Sequence, residues 1–251
     1  MWTTLFRSPI PAGTSRYGEL SAALIHQTIE RLQQRIYERF PTSGLWKVSR
    51  ELATVSSHTS YIVHQLARPF WWLRTLAFLL TTGILLLIVV IIRRSFGMEA
   101  GAEGWAEWIQ AIESAINELI FLALALYFFM SAEQRLKRWL AIRAIHRLRS
   151  IAHIIDMHQL TKDPVYVLKE AQPTASSPER TMTSFELVRY LDYCTELLSL
   201  TSKLAALYVQ RLNDSVVLNA VNDLESLADG LSGKIWQKIM ILDMAVPSEE
   251  E

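Results

Sequence analysis

One cysteine stands in the whole chain, Cys194, so no disulfide can form within it, and the composition fits a reducing compartment. Net charge is missing as well. The 25 Lys and Arg residues balance 25 Asp and Glu, whereas a nucleic-acid-binding domain is normally basic overall, so no nucleic-acid partner is expected. No segment shows the strict apolar–polar alternation of a half-buried strand. No nucleophile stands at a suggestive spacing from a base, so the chain reads as a non-enzyme that needs no cofactor. The opening residues, MWTTLFRSPIP, hold no apolar region of signal-peptide length, so the first membrane span is expected to act as its own insertion signal.

Charge is most conspicuously lacking between Thr75 and Ile92, where TLAFLLTTGILLLIVVII runs without an Asp, Glu, Lys or Arg. Eighteen helical residues reach about 27 Å, close to the hydrocarbon thickness of a bilayer. A second apolar stretch, Leu119–Ala132, is shorter and reaches span length only when extended back to Ala115, which takes in Asn117 and Glu118. The flanking charges decide its reading. From Phe96 to Ser114 there are four glutamates and no Lys or Arg, while Arg135, Lys137, Arg138, Arg143, Arg147 and Arg149 follow the second stretch. Basic residues stay on the cytoplasmic side, so the sequence predicts two spans, an acidic outer loop and both termini inside. A bacterial inner membrane or a plasma membrane is the expected location, with the lipid bilayer as the first partner.

Outside the spans the pattern is helical. Ala22, Ile25, Ile29, Leu32, Ile36 and Phe40 form one stripe, closed by Pro41. Leu45, Val48, Leu52, Val55, Thr59, Ile62 and Leu66 form a second with a period near 3.5, suited to packing in a bundle. Leu136, Leu140, Ala144, Leu148, Ile151 and Ile155 carry a face past the second span. A short helix is expected over PVYVLKEA and an exposed loop over QPTASSPERTM. Thr183 and Glu186 have the spacing of a capping box that opens a long helix through Leu191, Cys194, Leu198 and Tyr208. After the Asn213-Asp214 turn, Leu218, Val221, Leu224, Ala228, Leu231, Ile235 and Leu242 mark the last helix, with Gly230 and Gly233 weakening it.

The fold class is therefore all-α: a two-helix transmembrane hairpin, 69–132, between a cytoplasmic N-terminal helical pair, 1–68, and a cytoplasmic C-terminal helical domain, 133–251. Each cytoplasmic helix has one apolar face, so the two flanking parts are expected to build one composite bundle.

Four sets of residues are candidates for function. Asn117, Glu118, Arg93 and Arg94 are polar groups in or at the spans; Glu118 is expected either to pair with one of the arginines or to ring the mouth of an oligomeric pore. Gly83 and Ala123 fall at mid-span, where small residues favour helix packing within the chain or between subunits. His146, His153 and Asp156 share a helix face with ligand-type side chains, yet no Cys or Glu completes a metal-binding spacing, and no metal is expected. Gly97-Met98 resembles, in two residues, the signature that follows the first membrane helix of CorA-type magnesium channels, but Glu99 replaces its asparagine and the long tail from Glu133 departs from that family. Asp229–Lys234 lacks the glycine spacing of a phosphate loop. The sequence thus predicts a membrane-anchored interaction, scaffold or signalling module, a homo-oligomer with a possible cytoplasmic protein partner; the alternative is a homo-oligomeric channel gated by the bundle.

Overall fold

A computed structural model describes residues 18–66, 68–97, 105–164 and 182–245. Within these, every regular element is a helix: α1 (Ala22–Arg39), α2 (Gly44–Leu66), α3 (Trp71–Gly97), α4 (Trp105–Leu160), α5 (Ser184–Arg211) and α6 (Ser215–Ala245). The short helix and loop expected between Pro164 and Met182 and the acidic residues Glu99 and Glu103 lie outside the described residues. The chain divides into two compact units, residues 1–64 with 141–251, and residues 65–140. Helix α4 supplies residues to both.

The first unit is a bundle of α1, α2, the end of α4, α5 and α6. Helix α1 starts where the Ser21 side chain accepts from the Leu24 N–H, and it buries Ile25, Ile29, Leu32 and Ile36 as the stripe predicts. Helix α5 opens on the expected capping box: Thr183 Oγ1 accepts from the Glu186 N–H, and Glu186 Oε2 accepts from the Thr183 N–H at 2.9 Å. This helix is the axis of the bundle. Leu191, Cys194, Leu197, Leu198, Leu204 and Ala205 are all wholly buried, which places apolar contact on more than one of its sides. Burial drives the Cys194 thiol up to about 12, leaving it neutral and chemically quiet.

Most polar groups at the helix contacts are paired, with Gln159 Oε1 and Ser202 Oγ, among the described residues, buried without a partner. Tyr208 Oη on α5 donates to Thr59 Oγ1 on α2 at 3.2 Å, and that hydroxyl donates in turn to the Val55 carbonyl. Arg35 on α1 grips Glu196 on α5 through both guanidinium nitrogens, at 3.0 and 3.3 Å. Arg147 on α4 reaches Glu51 on α2 at 2.6 Å. Lys238 on α6 donates to the Gln159 and Lys162 carbonyls, closing the C-terminal end of α4. The surface pairs fix orientation more than they stabilise, at roughly 0–1 kcal/mol each.

The second unit contains α3 and the first part of α4, two helices long and apolar enough to cross a membrane. Large apolar side chains point outward along both, including Phe78 at 71% exposure and Phe121 at 72%. Less exposed positions trace one stripe on each helix: Leu73, Ala77, Thr81, Ile84 and Ile88 on α3, and Glu118, Leu122, Ala125, Phe129 and Ala132 on α4. Steps of three and four residues are what two helices show when each shades one face of the other. Thr81 Oγ1 donates to the Ala77 carbonyl at 2.7 Å, so its hydroxyl is satisfied in an apolar setting.

Candidate functional site

Helices α3 and α4 are joined at one end by a cluster around Glu133. Its Oε2 accepts from Arg74 Nε at 2.9 Å, and Oε1 meets Lys137 Nζ at 2.9 Å and the Phe70 N–H at 3.3 Å. Lys137 also lies over the Phe70 ring, 5.3 Å from its centroid. Partial burial of the carboxylate works to raise its pKa, but the hydrogen bonds from Arg74, Lys137 and the Phe70 backbone overcome this and hold it at about 2. Trp71 and Trp72 stand beside the cluster, 70% and 62% exposed. Glu133 was not among the candidates read from the sequence; its place one residue past the second apolar stretch was the available signal.

The Arg74–Glu133 link also sets the register of the pair. Counting away from it at about 1.5 Å per residue brings Gly83 level with Leu124, beside Ala123. The two small residues share a depth, as their mid-span positions suggest. They do not meet, however. Gly83 is exposed with nothing within 4 Å of where a Cβ would stand, and Ala123 is exposed too.

At the other end of the pair, Asn117 and Arg93 are exposed while Glu118 is half-buried on the inward stripe. The same register sets Glu118 level with Val89, about 6 Å along the axis from Arg93, a gap an arginine side chain spans. Arg94 belongs to α3, with its side chain outside the described residues. His146 and His153 are exposed on α4, and Asp156 accepts from Gln159 Nε2 at 2.7 Å. Among the described residues no group of three or more His, Cys, Asp or Glu side chains gathers as a metal site.

A different polar site lies in the bundle. A cavity of about 370 Å³ opens where the α1–α2 turn meets the end of α4 and the start of α5. Arg39, Ser43, His158, Lys162 and Glu186 line it, with Phe40 and Tyr190 supplying aromatic surface. Those two rings pack edge-on, 5.5 Å between centroids. The His158 imidazole rests on the backbone of Gly44 so closely that a methyl group there would overlap the ring. Burial lowers the pKa of His158, and Lys162 lowers it further. Reading the sequence missed this site because its members are scattered over four helix ends. The one local hint was Arg39-Phe40-Pro41-Thr42-Ser43-Gly44, a helix stop and helix start only a turn apart.

A smaller cavity of about 310 Å³ lies between α5 and α6, lined by Ser199, Ser202, Lys203, Glu225, Asp229 and Ser232. Its mixed charges favour no single class of ligand. Comparison with known proteins finds no matching family model, no matching curated protein and no matching solved structure.

Proposed function

We propose that the chain is a non-enzymatic, membrane-anchored interaction module. In this reading α3 and the first part of α4 cross a bilayer as a hairpin, both flanking segments are cytoplasmic, and the bundle engages a protein partner or relays a signal to it. The observation that carries the reading is the contrast between the two units. The bundle has a closed core, with Leu148, Leu191, Leu198 and Leu224 wholly buried, whereas the helix pair directs Phe78, Leu79, Phe121 and Tyr127 outward. Outward aromatic and aliphatic side chains suit lipid, and the exposed tryptophans and the Glu133 cluster at one end suit the headgroup layer.

Cysteine labelling in intact cells tests the topology. With Cys194 buried and its thiol neutral, an impermeant reagent will read only the introduced positions. A cysteine at Ala102 is expected to react and one at Ser177 to stay protected until the cells are opened. Labelling at position 177 in sealed cells sinks this topology.

A second reading, a homo-oligomeric pore gated by the bundle, draws on the outward Gly83. Small residues facing away from their own hairpin partner favour close approach of another subunit. In such a ring, Glu118 would bias the outer mouth toward cations. Mass measurement of the detergent-purified protein separates the two readings, because a strict monomer rules out the pore.

A further inference from the structure

We propose that the cavity between the α1–α2 turn, the end of α4 and the start of α5 binds a small molecule through a phosphate group, with Arg39 and Lys162 as its cationic contacts. The proposal concerns the bundle alone and does not depend on whether the helix pair enters a membrane.

Size comes first. About 370 Å³ lies within the range of small-ligand pockets, and the walls here are more polar than apolar. Charge comes next. Arg39 and Lys162 both border this one space, and among the described residues neither is held in an ion pair. Each lies instead over an aromatic face, Arg39 over Phe185 at 5.4 Å and Lys162 over Tyr190 at 5.3 Å. Such a contact leaves a cation free to donate to an incoming anion. The one carboxylate on the wall, Glu186, accepts from the backbone and hydroxyl of Thr183 in the capping box and keeps its negative charge, which Arg39 partly offsets.

The backbone adds to this field. Helix α2 begins at Gly44 on the cavity wall, and Ser43 Oγ accepts only the Trp46 N–H, at 3.2 Å. The earlier N–H groups of that first turn have no partner within the helix by geometry, and a helix start carries a partial positive charge. The Thr42 hydroxyl borders the same space, whereas those of Ser43 and Thr161 already donate to the Phe40 and His158 carbonyls. Two cations and a helix start match the charge and the several acceptor oxygens of a phosphate better than a planar monoanion. The Tyr190 and Phe40 rings, both buried and packed on each other, form the floor beneath these groups.

Calorimetric titration of the full chain in detergent tests the proposal, with inorganic phosphate, AMP and glycerol 3-phosphate as probes. At least one is expected to bind, and Arg39→Gln or Lys162→Gln to weaken it by about tenfold, the effect of one charge-assisted contact. Lys162→Arg should hold affinity within a few-fold, as should Arg149→Gln, an exposed change outside the cavity. Should either glutamine variant fail to fold, Thr42→Asp places a negative charge on an exposed turn residue at the rim and is expected to abolish binding. Tightest binding of AMP identifies a nucleotide, of glycerol 3-phosphate a lipid-type headgroup, and equal binding of all three a free anion. Binding by none of them, or binding that survives Arg39→Gln, Lys162→Gln and Thr42→Asp alike, overturns the proposal.

Discussion

Glu133 Oε2 accepts a hydrogen bond from Arg74 Nε at 2.9 Å, tying α3 to α4 across 59 positions of sequence. Glu133→Gln keeps the shape of the side chain but removes its charge from between Arg74 and Lys137. The protein is expected to lose about 1–2 kcal/mol, less than the full pKa displacement would give, because Arg74 is 57% exposed and its field is screened. The sign with pH follows. The carboxylate has its pKa lowered in the folded state, so its contribution is complete above the unfolded value near 4.5 and fades as pH falls toward about 2. Thermal midpoints of the two proteins should therefore converge below pH 4.5. A constant difference across that range would contradict the assignment.

His158 and Gly44 offer a second test. The imidazole is disfavoured as a cation in the fold, so stability is full above the unfolded pKa of about 6.5 and declines as pH drops below it. Gly44→Ala forces the ring off its seat. Because only the end of a mobile side chain has to move, the fold should survive, and NMR titration should show the His158 pKa returning toward 6.5. An unchanged His158 pKa in the variant would show that the ring is not packed on this backbone.

The core allows a plainer measurement. Truncating Leu148, Leu191, Leu198 or Leu224 to Ala is expected to cost about 2–5 kcal/mol by denaturant unfolding, since each side chain is wholly buried. Losses near zero would place these residues outside the core.

All four of those leucines were legible in the sequence, as were the stripe of α1 and the cap of α5. One-faced helices announce their buried side by period alone. The errors fall where a helix turns relative to its neighbours. Helix α6 buries Val217 while Leu218 is 43% exposed, α2 buries Val63 in place of Ile62, and the α4 face runs through Ala141 and Ile145 instead of Leu140 and Ala144. Each is a shift of one position, about 100° of helical rotation, at the end of a stripe otherwise read correctly. Helix α5 was under-read for another reason. A helix enclosed on several sides also buries Tyr190, Tyr193, Leu197, Leu200 and Leu204, which a single stripe omits. The cavity was not legible, because proximity of Arg39, His158 and Lys162 is a property of the tertiary fold.

Gly83 supplies the last prediction. With open space around its position, Gly83→Ile can be accommodated inside one protomer. The variant is expected to keep its helix content and its monomer stability but to shift detergent-phase mass toward smaller species. An unchanged mass distribution would show that this face meets lipid and not another subunit.

The central place of α5 also bears on the order of events during synthesis. Helices α1 and α2 are made before the rest of the bundle: the Glu51–Arg147 contact of α2 awaits α4, and the Arg35–Glu196 and Thr59–Tyr208 contacts await α5. Between Leu66 and Ser184 comes all of the apolar helix pair, so at roughly 5–20 residues per second the first two helices wait on the order of ten seconds for their partner. During that interval Ile29, Leu32, Ile36 and Leu52 have no finished core to enter. The vulnerability of the nascent N-terminal pair to proteolysis should end only once α5 has been made.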